Sequence, residues 1–280
     1  MRLGRFQLSH ISDGSIRLDG GAVFGIVPRV LWERKLRPDD RNRVRLGLNC
    51  LLIRTPHEAI LVDTGAGRKY SPKEQDIYGV GEEPDIVARL GRLGMEPTDV
   101  DLVINTHLHF DHCGGNTRRE GEAVVPTFPN ATCIVAREDY LTATGRNERT
   151  AVSYRSENWL PLQESNRLRL VDGEQEIVPG VSLVHTPGHT PGHHSVKVRS
   201  GGETVFFLGD LCATTAHVPL PWIMGYDLFP LTTLETRKRI YSRAAAEKWL
   251  LLFDHDPDVV AGVMSRQEGR YVVEPVPWED

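Results

Sequence analysis

At 280 residues, 40% of them hydrophobic and 25% charged, the chain is ordinary globular material, long enough for one large or two small domains. No apolar run approaches the roughly 18 residues of a membrane span, and Met1-Arg2-Leu3-Gly4-Arg5-Phe6 lacks an export signal's apolar core, so a cytoplasmic protein free of membrane is expected. A net charge of −5 provides no basic footprint for nucleic acid, and Cys50, Cys113, Cys133 and Cys212 are scattered, as suits free thiols in a reducing compartment.

In chain order, Ser12-Asp13-Gly14 and Asp19-Gly20-Gly21 are turn signals, and the segments around them read as an N-terminal hairpin. Residues from about 24 to 45 lack strand alternation. They fit either a lid over a site, a loop or short helix bearing Phe24 and Trp32, or a surface insertion packed on the body of the protein. Ile60-Leu61-Val62, Leu102-Val103-Ile104, Val205-Phe206-Phe207-Leu208 and Leu250-Leu251-Leu252-Phe253 are short continuous apolar runs bounded by polar or turn residues, the pattern of buried strands. Asp85 to Leu93 has helical spacing and stops at Gly94. Thr232 to Glu235 offers a capping box for a helix reaching about Trp249.

Each of those four runs leads to a candidate ligand or supporting acid: Asp63, His107, Asp210 and His255. Polar residues at the carboxyl ends of several strands suggest one shared site at a sheet rim. The densest segment is His107-Leu108-His109-Phe110-Asp111-His112, followed by Cys113-Gly114-Gly115. Three imidazoles and a carboxylate so close have little use in a packed core, where each would need a polar partner, but they suit a divalent ion. A solvated His-rich turn is the plain alternative. His185 to His193 adds two Pro-Gly turns that can hold His189 rigidly. Trp222, Met224 and Tyr226 lie in a proline-broken apolar stretch after Asp210, which fits a pocket wall or the packing of an irregular connection. Gly-x-Ser-x-Gly, Gly-x-x-x-x-Gly-Lys and His-Glu-x-x-His are all absent.

The set His107, His109, Asp111, His112, His189, Asp210 and His255, in this order from about Asn49 onward, resembles the metallo-β-lactamase-fold hydrolases. The resemblance implies an α/β (α+β) chain folded as a four-layer αββα sandwich, one domain over 1–280. It implies two divalent metal ions, zinc first, with iron, manganese or cobalt as alternatives. His107, His109 and His189 would hold one ion, Asp111, His112 and His255 the other, and Asp210 would bridge them. Asp63 would orient a ligand histidine from behind. His185 and His193 are expected to be local hydrogen-bonders, His10 and His57 to lie at the surface, and His194 and His217 stay ambiguous.

The chemistry that follows is attack of a metal-bridging hydroxide on an ester-like carbonyl, with Asp111 and Asp210 as catalytic groups. Within the superfamily the motifs look most like N-acyl-homoserine lactone lactonases and related lactone, aryl-ester and organophosphate hydrolases. One departure stands out: many such lactonases carry a tyrosine three residues after the bridging aspartate, where this chain has Ala213. A glyoxalase II-like thioesterase and, from another class, a mononuclear iron persulfide dioxygenase are the alternatives. The expected partner is a small-molecule substrate, met by a pocket of Phe24, Trp32, Phe110, Trp222, Met224 and Tyr226, with a homodimer as one option for assembly.

Overall fold

The computed structural model describes residues 1–80 and 83–278. Their contacts gather into two compact units, one built from 1–15 and 48–173, the other from 16–47 and 174 onward. The result is a mixed α/β chain, and all four apolar runs lie in strands as their composition predicts.

The first unit is organised by a sheet in the order Arg2–Leu3, Phe6–Asp19, Arg43–Arg54, Ala59–Val62, Leu102–Ile104, Thr132–Ala136, Leu168–Val171. From Ala59–Val62 onward the strands are parallel, and parallel strands bury both faces, which is why these runs are apolar without alternation. Leu52, Leu61, Val103, Val135, Tyr154 and Trp159 share its core. Val62 pairs in register with Ile104, so the two strands end level and deliver Asp63 and the segment 105–107 side by side.

The second unit repeats the device. Its sheet runs Gln175–Val178, Val181–His185, His194–Ser200, Glu203–Phe207, Leu250–Leu252, Ala261–Gln267, Arg270–Val276. One parallel pair joins Phe207 to Leu252, and the chain leaving those two residues supplies Asp210 and His255. The helix Pro230–Glu247 packs Ile240, Tyr241 and Ala244 into a core with Phe206, Trp249 and Leu251. Among the described residues no helix is long and apolar enough to cross a membrane.

Three expectations about elements need revision or refinement. The long helix opens at Pro230, not at a Thr232 cap: proline's fixed φ suits a first helical turn, and Thr232 lies inside the helix. The stretch from 24 holds the short helix Arg29–Trp32 and then enters the strand Arg43–Arg54. Finally, Ser12-Asp13-Gly14 is no turn, because the strand Phe6–Asp19 runs straight through it. Asp13 is buried instead, accepting hydrogen bonds from the amides of Gly67 (2.8 Å) and Ile86 (3.0 Å), with Arg68 Nη1 at 3.4 Å. By contrast the helix expected from Asp85 to Leu93 forms over Ile86–Arg92, with Asp85 as its N-cap, and Gly94 follows with a φ of +71°. All four cysteines are buried free thiols; burial drives the pKa of each of Cys113 and Cys133 well up, and that of Cys212 to about 11.

Burial also pushes the Asp13 carboxyl up to about 6 from 3.8, outweighing Arg68 and the two amides. The folded chain therefore keeps a proton that the unfolded chain releases between those values. That contribution to stability is fully present below pH 3.8 and lost as pH rises through about 6. Asp13→Asn has no such titration. Relative to that variant, the wild type should lose about 3 kcal/mol between pH 3.5 and 7.5. Urea unfolding of both proteins at the two pH values measures it, and parallel losses would refute the assignment.

Candidate metal centre

In the first unit the donors follow the strand Leu102–Ile104. His107 and His109 stand with ring centroids 4.5 Å apart, and His107 and His112 at 4.0 Å. Two buried acids hold this turn. Asp63, at a φ of +56° that a short polar side chain tolerates, accepts from Thr106 N and Thr106 Oγ1, both at 2.8 Å, and from His112 Nδ1 at 3.0 Å. Asp139, wholly buried in the helix Arg137–Thr144, accepts from Leu108 N at 2.6 Å. The His109 ring lies against Tyr154 at 4.7 Å. Asp111 Oδ1 is 4.0 Å from His112 Nε2.

In the second unit Asp210 addresses two imidazoles at once. Its Oδ2 is 2.9 Å from His189 Nε2 and its Oδ1 3.4 Å from His255 Nε2. His189 Nδ1 donates to Asp227 at 2.9 Å, and His255 Nδ1 to the carbonyl of Gly47 at 2.8 Å. Asp254 Oδ2 lies 3.9 Å from His255 Nε2. Burial alone would lower the pKa of His189, but Asp210 and Asp227 outweigh it and raise it to about 10. An arriving cation has to displace that proton.

One pattern runs through both units. Nδ1 is engaged with the protein in His112 by Asp63, in His189 by Asp227, in His255 by Gly47, and in His107 by Thr106 Oγ1 at 3.1 Å. An imidazole donating from Nδ1 is fixed in the tautomer whose Nε2 carries the lone pair, which is how metal-binding histidines are prepared. The chemistry of the donors therefore fits a divalent cation, and these are His and Asp clusters suited to one. Asp227 and Asp254 belong to this picture though neither was singled out from the sequence. Asp254 was legible as the neighbour of His255 at a strand end; Asp227 sits 38 residues after His189 in an irregular stretch and gave no signal.

The other histidines sort as follows. His185 and His193 are local hydrogen-bonders, to the Pro191 carbonyl and to Thr186. His194 bonds Gly192 O, His57 is exposed, and His10 is half-buried against Asn49. His217 is structural: buried, bonded to Thr214 and to Val23 O, its pKa lowered to about 4 by burial and Arg237.

The aromatic residues expected at a pocket divide. Phe24 stacks on Trp32 at 5.1 Å and on His217 at 4.7 Å, and meets Trp222 edge-on. Phe24 and Trp32 are 0% and 2% exposed and pack the interior of their unit, the second of the two arrangements that the stretch from 24 to 45 allowed. On the same stretch Ile26, Val30 and Leu31 are the exposed apolar residues. Phe110 and Met224 are buried, while Trp222 and Tyr226 are half-buried. Buried Arg237 ties down the chain after Asp210 by donating to the carbonyls of Leu211, His217 and Trp222.

The sequence profile of the metallo-beta-lactamase superfamily matches residues 44–262, a span that includes every donor named above. The chain belongs to that superfamily. It is a hydrolase, and its relatives agree in kind. An N-acyl homoserine lactonase of Bacillus thuringiensis is 33% identical over 220 residues, 74% of this chain and 80% of the relative. A crystal structure of a probable metal-dependent hydrolase from Staphylococcus aureus superposes with a TM-score of 0.89 at 30% identity, covering 99% of this chain and 100% of that one. An N-acyl homoserine lactone hydrolase solved with N-hexanoyl-L-homoserine at its catalytic metal centre gives 0.70 at 29% identity, over 92% and 95% of the two chains.

If Asp227 and Asp63 orient ligand imidazoles, Asp227→Ala and Asp63→Ala should each fold and yet bind metal about 10–100-fold more weakly. Competition against a chromophoric chelator reads this directly. Wild-type affinity in Asp227→Ala would remove it from the centre.

Proposed function

We propose that this superfamily member is a dinuclear metal-dependent lactonase. The observation that carries the reading is the double address of Asp210, one carboxylate oxygen to His189 and the other to His255. A carboxylate placed between two imidazoles in this way would suit sharing by two ions. On this reading His107, His109 and His189 hold one ion. Asp111, His112 and His255, with Asp254 beside it, hold the other, and Asp210 is shared. Zinc suits such nitrogen and oxygen donors.

When bound, the two ions supply Lewis acidity and a water ionised near neutral pH. The chain's own residues supply position and proton control. Asp63 and Asp227 fix the imidazole tautomers, and Asp139 fixes the backbone between His107 and His109. Ala213 leaves no side-chain acid at the position where many lactonases have tyrosine. Asp111, or a water it holds, then carries the proton to the departing alkoxide. Without a dedicated phenol, good leaving groups such as aryl or strained lactone oxygens should react much faster than simple alkyl esters.

The substrate class rests on the lactonase relatives and on the apolar stretch Trp222-Ile223-Met224, which would suit an uncharged ester with an apolar group. The test compares kcat/KM for a long-chain acyl-homoserine lactone, a γ-lactone and S-lactoylglutathione on one preparation. The lactones should lead; preference for the thioester would move the assignment to a glyoxalase-like enzyme. Elemental analysis should find about two ions per chain. Asp210→Ala should lose metal and turnover together. One ion at saturation, with no change in His255→Ala, would defeat the dinuclear reading.

A further inference from the structure

Lys69 is a buried charge that this mechanism does not use. It is 7% exposed, and its ammonium has no carboxylate partner within salt-bridge distance among the described contacts. Instead Nζ donates to two backbone carbonyls, those of Gly114 and Thr117, the latter at 2.8 Å. Burying a lysine against carbonyls alone is costly, and burial does lower its pKa, to about 8. A methionine would fill the same space without that cost, so the ammonium invites a specific explanation.

The two carbonyls lie just past His112, and the loop that carries Lys69 grips the same turn elsewhere. Thr64 N donates to His112 O at 2.8 Å, Gly114 N donates to Gly65 O at 2.8 Å, and Asp63 holds the His112 ring. The backbones touch: a Cβ on Gly114 would fall 2.0 Å from the Ala66 carbonyl oxygen, and one on Gly115 2.2 Å from that of Thr64. On its other side the loop is anchored by Asp13 through Gly67 N. Lys69 thus sits at the end of a continuous polar brace from the strand Phe6–Asp19 to the metal-binding turn.

Resting on the dinuclear reading above, we infer that Lys69 is a positioning residue: by holding the carbonyls of Gly114 and Thr117 it sets the placement of His112 and hence the affinity for the ion His112 would hold. It touches neither substrate nor metal and acts through the backbone. The other titratable groups around it are Cys113, Glu157, Asp13 and Arg119.

The test uses Lys69→Met titrated with cobalt(II), the equivalent belonging to His112 being assigned as the one lost in His112→Ala. That equivalent should bind at least about tenfold more weakly, with a changed visible spectrum, while the other binds as in wild type. In metal-free protein the NMR signal of the His112 Nδ1 proton, bonded to Asp63, should shift or broaden. Both equivalents weakening together with a fall in metal-free Tm would mean bulk packing only, and two unchanged equivalents with an unmoved proton signal would also overturn the inference. Should Lys69→Met not fold, Lys69→Gln, which keeps a shorter donor, carries the same measurements. A wild type that takes up a single ion would sink the dinuclear reading, and the His112 signal would still decide the role of Lys69.

Discussion

An imidazole can serve a cation from one nitrogen only if something else settles the proton on the other. That constraint organises much of this molecule. His107, His112, His189 and His255 have Nδ1 engaged, by two carboxylates, a hydroxyl and a backbone carbonyl, and each partner must itself be held. Asp63 is fixed by Thr106, the Gly47 N–H donates a hydrogen bond to the His255 carbonyl, and Asp227 lies in a segment whose next two N–H groups donate to the carbonyls of His189 and Gly188. The supporting shell is therefore as extensive as the donor set, and most of it is backbone.

Parallel strand ends are what make such shells cheap to build. In each unit two buried strands finish level, and the residues immediately beyond can reach one another without long loops. Asp63 meets Thr106 across one such pair, and Asp210 meets His255 across the other. The same geometry explains why buried cations appear nearby. Turns that leave the sheet expose carbonyls that no strand partner satisfies, and Lys69 and Arg237 supply the missing donors.

The sequence revealed what depends on local order. Continuous apolar runs marked the parallel strands because burial on both faces leaves no polar alternation, and the acid or histidine after each run marked the site. Asp13 and Thr232 both have local chemistry that favours turns and caps, but distant amides claim the first and a neighbouring proline pre-empts the second. Gly67 and Ile86, more than fifty residues on, claim the Asp13 carboxylate, and Pro230 starts the helix before Thr232 can. Asp139, Asp227 and Lys69 act on residues far from them in sequence, so no spacing rule could single them out. Phe24 and Trp32 stack on each other, and nothing in the one-dimensional pattern announces that pairing.

The four sealed thiols bear on which donors a cation would meet. A thiolate beside a metal ion is an invitation to copper(I), cadmium and other soft ions, and Cys113 directly follows His112. Here that sulfur is wholly buried, kept protonated by burial and turned to the carbonyl of Leu108 at 3.4 Å. The donors offered to an ion are consequently nitrogen and oxygen alone. A soft ion would find no thiolate there to favour it.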